Sequence, residues 1–421
     1  MGNNKLRTLA QEVHRQMKKI LMVTYDSPNI DRRIYLVADA LQEVGYDVSI
    51  LSPFADIEKG FEHIKVINLV DKNKRYAMLS TVFIKDKLKN ILPIFIFKIL
   101  KKIYRKIFTR DGFIQYLNSM TTRAISIKAD YYIANDLPTL PIVKSCIDEN
   151  GGRFIYDAHE FFLGQDMLKD NQKNNLEKVE SSIFPYVDFF ITVNEDIRKL
   201  FFDKYGDKKS EIIYNSTKCG TGEIKYLHDL IGINRAEKLL LYQGGFIERR
   251  KLENLIYISQ YLNDCKLVML GWGSSEKSLK KLAEKLGVIN KKVFFIPKIS
   301  QHDLIQYATS ATIAIIPYDG YDLNTKYCTP NKLFEYICAE LPIAYNANLL
   351  TVDKIISKND FGFPIDIEDF QEVANEINRF VNDKKGLSLM KENIQKNKNI
   401  FSWDVEKQKI IKIFKSIDYV N

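Results

Sequence analysis

The run KILMVTY, residues 19–25, is apolar at successive positions rather than at alternate ones. A strand of that kind is buried on both faces, and a parallel sheet covered by helices is the architecture that buries it. The next segment, RRIYLVADALQEVG (32–45), changes to helical spacing and ends on a glycine. YDVSILSP (46–53) returns to a strand pattern. The same alternation continues through YYIAND (131–136), the helix pattern TLPIVKSCIDENG, RFIYDAHE (153–160), VDFFITVNE (187–195) and EIIYNSTK (211–218). This is a βαβ series and predicts an open parallel sheet.

The rhythm then starts again. KLLLYQGG (238–245), CKLVMLGWG (265–273), KKVFFIP (291–297), ATIAIIPY (311–318) and LPIAYNA (341–347) read as strands with helices between them. A chain of 421 residues is longer than one core usually serves. The pattern therefore predicts an α/β protein of two doubly wound, Rossmann-like domains facing each other across a cleft. Ligands bind at the carboxyl ends of such sheets. The expected divisions are a polar extension at 1–16, a first domain over 17–225, a second over 226–400, and a terminal segment over 401–421. In that last segment, FSWDVEKQKIIKIFKSIDYV forms an amphipathic helix that crosses back onto the first domain.

Several classes are excluded. The five cysteines are scattered and lack any CxxC pair, which fits reduced thiols in a cytosolic protein. No HExxH or His/Cys cluster suggests a metal. The polar first residues do not read as a signal peptide, and Leu6 stands where a myristoylation motif needs Ser or Thr. The net charge of +9 fits nucleic acid, phosphorylated substrates or an anionic membrane. Its main concentration is residues 83–108, where eight basic side chains interleave with Ile, Leu, Phe and Tyr against the single acid Asp86. Lysines interrupt the segment too often for it to span a bilayer. It reads as a basic amphipathic helix lying on an anionic surface, or as a domain helix with a lysine-rich solvent face. No nucleic-acid motif accompanies it.

Five stretches can carry chemistry. In CTPNKLFEYICAELPIAY (328–345), Pro330 suits the first turn of a helix with Thr329 as its cap. Such a helix start suits a phosphate, Lys332 adds a charge, and Glu335 one turn on can accept two hydrogen bonds from a vicinal diol. The plain alternative is a solvent-facing glutamate. In YQGGFIERRKLENLI (242–256), Gly244 and Gly245 let backbone approach a ligand, and Arg249, Arg250 and Lys251 offer cations for a diphosphate. LGWGSSE (270–276) is a glycine turn without the spacing of a nicotinamide site. YDAHEFF (156–162) puts Asp157, His159 and Glu160 at the end of a strand. There His159 is a general base, an electrostatic contact or a satisfied structural histidine. TYDSPNIDRR (24–33) brings Asp26, Asn29, Asp31, Arg32 and Arg33 to the same side of the fold.

Taken in order, these stretches resemble the GT-B glycosyltransferases of family 4, over nearly the whole chain from Met17. ANDLPTLP, RFIYDAHEFF, YQGGFIERRKLENLI, KLVMLGWGS, PNKLFEYICAELPI and the final FSWDVEKQ carry the likeness. The resemblance implies a retaining transferase that needs no metal or other cofactor and takes a sugar nucleotide, of UDP type, as donor. It places the donor in the second domain. There Glu335 would hold the ribose, and Arg250 and Lys251 the diphosphate, helped by Pro330, Asn331, Lys332 and Leu333. Gly244, Gly245, Gly271 and Gly273 would line the nucleotide, with Ile296 and Pro297 near the base. His159 would sit by the transferred sugar, and Asp31, Arg32, Asp157 and Glu160 would face the acceptor. The implied partners are a glycan or lipid-linked acceptor and, through residues 83–108, a membrane surface. The implied setting is the cytoplasmic face of the cell membrane, in polysaccharide or glycolipid synthesis.

Two positions depart from the family. The usual Glu-x7-Glu pattern has Tyr327 at its first position, with Asp322 or Asn324 as possible substitutes. Gly245 stands where an arginine is common, with Arg249 as its possible compensation. The missing carboxylate keeps two alternatives in view, a non-catalytic GT-B partner of a transferase and a sugar-nucleotide 2-epimerase.

Overall fold

A computed structural model describes residues 17–69, 111–220 and 222–418. The extension 1–16 and the basic segment 83–108 lie outside the described residues. The first sheet holds seven strands, β1 (Lys19–Val23), β2 (Asp47–Ser52), β3 (Lys65–Asn68), β4 (Tyr131–Asn135), β5 (Arg153–Ala158), β6 (Phe189–Thr192) and β7 (Ser210–Ile212). Their order is β3-β2-β1-β4-β5-β6-β7. The second sheet holds β8 (Leu239–Gly245), β9 (Lys266–Trp272), β10 (Val293–Ile296), β11 (Ile313–Ile316), β12 (Ile343–Asn346) and β13 (Gly362–Ile365). Their order is β10-β9-β8-β11-β12-β13. Both sheets are parallel, and the whole is a GT-B fold.

The apolar runs became strands because both of their faces are covered. All five residues of β4 are buried, and so are the four of β1 after Lys19. Two strands, β3 and β13, were not anticipated, and each lies at an edge of its sheet. An edge strand needs less apolar sequence. It also tolerates Pro364, which has no N–H to give a second neighbour.

Crossover helices complete the first domain. Helix α1 (Arg32–Glu43) covers one face of the sheet, and α2 (Leu140–Asn150) and α3 (Glu195–Tyr205) cover the other. The second domain contributes α4 (Asn331–Cys338) and α5 (Leu350–Asn359). The last helix, α6 (Trp403–Asp418), does cross back. Its Trp403, Ile410 and Phe414 are buried in the same cluster as Ile34 and Leu41 of α1. The end of α6 is tied down by Asp418, which accepts from Lys18 Nζ at 2.7 Å, from Tyr46 Oη at 2.6 Å and from the Tyr131 hydroxyl. Just after β7, Arg33 donates to the Ile213 carbonyl and to Asn215 Oδ1, and the Tyr214 amide donates to the buried Glu406 of α6.

One expectation is corrected. Cys219 and Cys338 form a disulfide rather than remaining as thiols, whereas Cys146, Cys265 and Cys328 are free. The pair is 119 residues apart in sequence, so spacing gave no hint of it. The connecting segment between the domains passes the last residue of α4, and that crossing brings the sulfurs together. No helix among the described residues is long and apolar enough to cross a membrane.

Candidate active site

The second-domain wall is built where β8 ends. Gly244 has φ 127°, and a Cβ there would lie 3.0 Å from Lys332 Nζ and 3.6 Å from Arg250 Nη1. Bare backbone is what lets both cations approach one point. Lys332 is only 5% exposed, and its ammonium lies 4.1 Å from the Tyr242 ring centroid and 4.7 Å from that of Tyr318. It has no hydrogen-bond partner among the described residues. Burial pushes it well below the usual lysine range, Arg250 adds to that, and Glu335 works the other way. Two cations gathered without a carboxylate between them form a site shaped for an anion.

Helix α4 points at this place. Its cap is Pro330, with φ −67° and ψ 146°, and no side chain caps it. Thr329 is therefore not the cap. Its hydroxyl lies 3.4 Å from the Asn194 carboxamide of the first domain instead. The first amides of α4 are of the kind a helix leaves without an internal partner. Asn331 is exposed there, whereas the Leu333 side chain is in the core and its amide already donates to the Pro330 carbonyl at 2.8 Å. Glu335 does not face solvent. It is buried, and its Oε2 accepts from Gln243 Nε2 at 2.6 Å.

The neighbouring glycines have a packing duty. Register pairs Gly244 with Gly271 and Gly245 with Trp272. Any Cβ on Gly271 would fall 1.9 Å from the Gly244 carbonyl oxygen, so the close strand ends alone demand glycine there. A Cβ on Gly273 would likewise fall 2.3 Å from the Phe246 carbonyl oxygen. At the end of β10 the Ile296 side chain is buried in the core and Pro297 is exposed, so only the backbone of Ile296 is available to a base.

On the first-domain wall, His159 is enclosed by carboxylates. Its Nδ1 is 3.6 Å from Asp136 Oδ2, its Nε2 is 3.3 Å from Asp157 Oδ2, and its backbone N–H donates to Asp136 Oδ1 at 2.8 Å. Burial alone would lower its pKa, but Asp136 and Asp157 outweigh that and hold it up at about 9. Asp157 was expected to face an acceptor and does not. It is 1% exposed and paired with Arg33 at 2.6 Å. Burial pushes its carboxyl up, yet Arg33 and then His159 hold it well below the usual range. Asp31 caps α1 by accepting from the Arg33 amide, and Arg32 pairs with Glu58 at 3.1 Å.

Residues 227–398 match the family described as glycosyl transferases group 1. The second domain belongs to that family. Solved structures show a likeness of fold over nearly the whole chain. Sucrose-phosphate synthase from Thermosynechococcus elongatus superposes with a TM-score of 0.69 at 14% identity, over 96% of this chain and 100% of that one. HepE from Anabaena, crystallised with UDP and glucose, gives 0.69 at 14% over 95% of this chain and 100% of its own. WaaG, a glycosyltransferase involved in lipopolysaccharide biosynthesis, gives 0.60 at 13% over 94% and 99%. At these identities the likeness is one of fold. Comparison with curated protein sequences finds no match.

Within the group 1 domain, the cation beside Arg250 is Lys332 and not Lys251. Lys251 adopts the left-handed conformation at φ 55°, and its ammonium is taken by Glu368 at 2.8 Å and Asp319 at 3.4 Å. Tyr327 fills the place of the expected carboxylate by packing against the core of the first domain, and its carbonyl accepts from Asn194 Nδ2 at 2.9 Å. Neither suggested substitute is spare. Asn324 accepts from the Phe161 amide at 2.9 Å and donates to Glu160 at 3.2 Å. Asp322 accepts from the Thr325 and Asp166 amides. Arg249 crosses the cleft to Asp166 rather than standing in at Gly245. These contacts make a seam along one edge of the group 1 domain. Gln243, Asn194 and Asp136 were missed by sequence reasoning. Only Gln243 left a signal, as a polar side chain inside the apolar run LLLYQGG.

Proposed function

We propose that the chain is a retaining glycosyltransferase that moves a sugar from a UDP-sugar to a glycan or lipid-linked acceptor. The observation that carries this is the convergence of Arg250 and the buried, unpartnered Lys332 on Gly244 at the start of α4. In this reading both cations take the diphosphate, and the Asn331 and Lys332 amides at the start of α4 assist. Glu335, held by Gln243, accepts from the ribose diol. As the sugar departs, charge develops on the diphosphate, and fixed cations in a water-poor cleft stabilise it there. His159 serves as a cation beside the transferred sugar rather than as a base, in keeping with its two carboxylates. The family resemblance supports retention of configuration and a reaction without metal.

The acceptor lies on the first-domain side. The lysine-rich segment 83–108 supports an acceptor presented at an anionic membrane surface, on the cytoplasmic side, as in cell-surface polysaccharide or glycolipid assembly. Tyr327, turned to the first-domain core, keeps the non-catalytic partner as a second reading. UDP release from UDP-glucose and from UDP-N-acetylglucosamine decides between them. Turnover that falls at least about 100-fold in Arg250→Ala and Glu335→Ala supports the transferase. Turnover intact in both variants contradicts the site.

A further inference from the structure

Asp136 follows β4 at the floor of the cleft. Its φ of 62° and ψ of 164° lie in a region that is essentially reserved for glycine. Such a conformation persists only where its surroundings over-determine it. Here the Asp136 amide donates to the Asp157 carbonyl at 3.0 Å, and its carbonyl accepts from the Thr139 amide at 3.1 Å and from Thr139 Oγ1 at 2.9 Å. All three bonds use backbone atoms, and a glycine would make them without strain. The side chain is therefore kept for another purpose.

That purpose lies across the loop at His159. One Asp136 oxygen accepts from the His159 backbone N–H, and the other faces Nδ1 at 3.6 Å. The second carboxylate on the ring, Asp157, is already matched by Arg33 in a buried ion pair. Asp136 is the carboxylate on the ring that no arginine or lysine neutralises among the described residues. Its side chain remains 26% exposed and that of His159 10%, so the pair borders the cleft rather than the core.

We propose that Asp136 is a positioning residue for sugar transfer, aiming the His159 ring at the transferred sugar and holding its positive charge. This rests on the glycosyltransferase reading of the cleft. The charged groups that bear on His159 are Asp136 after β4, Asp157 on β5, Asp26 after β1, Glu160 on its own loop and Arg33 on α1. Loss of Asp136 removes the largest favourable one.

Two variants test this. Asp136→Gly relieves the backbone, so its melting temperature should equal or exceed that of the parent. Its affinity for UDP should stay within about twofold, because the cations of the second domain are untouched. UDP release from UDP-glucose should nevertheless fall about 100-fold. Asp136→Asn keeps an acceptor for the His159 amide but loses the charge. The His159 titration midpoint, followed by NMR, should drop from about 9 by at least about 1 pH unit, and the alkaline limb of UDP release should move with it. Parental turnover in Asp136→Gly, or an unmoved His159 midpoint in Asp136→Asn, overturns the proposal. A parent protein that binds no UDP overturns the glycosyltransferase reading instead, and the NMR titration still decides what Asp136 does to His159.

Discussion

Lys332 is the residue on which most depends. A buried ammonium with no hydrogen-bond partner lowers the stability of the free protein, and Arg250 nearby makes this worse. Lys332→Met should therefore raise the melting temperature while weakening UDP binding by about 10- to 100-fold, the loss expected for one charge-assisted contact. The same environment sets a proton linkage. Burial depresses the pKa of Lys332 in the free protein, and a bound diphosphate favours the charged form. UDP binding should take up protons and tighten as pH falls. Calorimetry in buffers of different ionisation enthalpy measures this directly, and a binding heat independent of buffer would contradict it. Glu335 makes a separate claim about the ribose. The parent should prefer UDP to 2′-deoxy-UDP by about tenfold or more, and Glu335→Ala should bind the two alike.

At the scale of elements, legibility followed burial. Strands covered on both faces announced themselves as continuous apolar runs, and β1, β4, β8 and β11 appear where those runs lie. The edge strands β3 and β13, of four residues each, carried no such run. The start of α4 was legible in position but not in detail, because Thr329 has the chemistry of a cap and is drawn instead toward Asn194 of the other domain. Likewise, a tyrosine at 327 reads only as a missing carboxylate until the first-domain core is seen against it. Helix α6 tests the architecture apart from the chemistry. Phe414 is fully buried between α6 and the first sheet. Phe414→Ala should cost about 3–5 kcal/mol in urea unfolding, yet leave the UDP dissociation constant unchanged.

The molecule as a whole joins two sheets whose carboxyl ends face one cleft, with the seam from Glu160 and Asp166 to Asn324 and Arg249 holding one edge together. The βαβ rhythm made this architecture readable. What the rhythm does not encode is which distant residues meet. The Cys219–Cys338 bond, the Arg33–Asp157 pair and the Gln243–Glu335 contact each join segments far apart in sequence, and only the folded topology sets them side by side. The same holds for Arg250 and Lys332, whose meeting at Gly244 is the basis for assigning a nucleotide diphosphate to this cleft. Calorimetric titration of UDP into the full chain tests that assignment most directly. The account predicts a single site per chain with a dissociation constant of about 1 μM to 1 mM, lost in the Arg250→Met/Lys332→Met double variant while its melting temperature holds. No binding heat from the parent protein, or a double variant that binds UDP as the parent does, would contradict it.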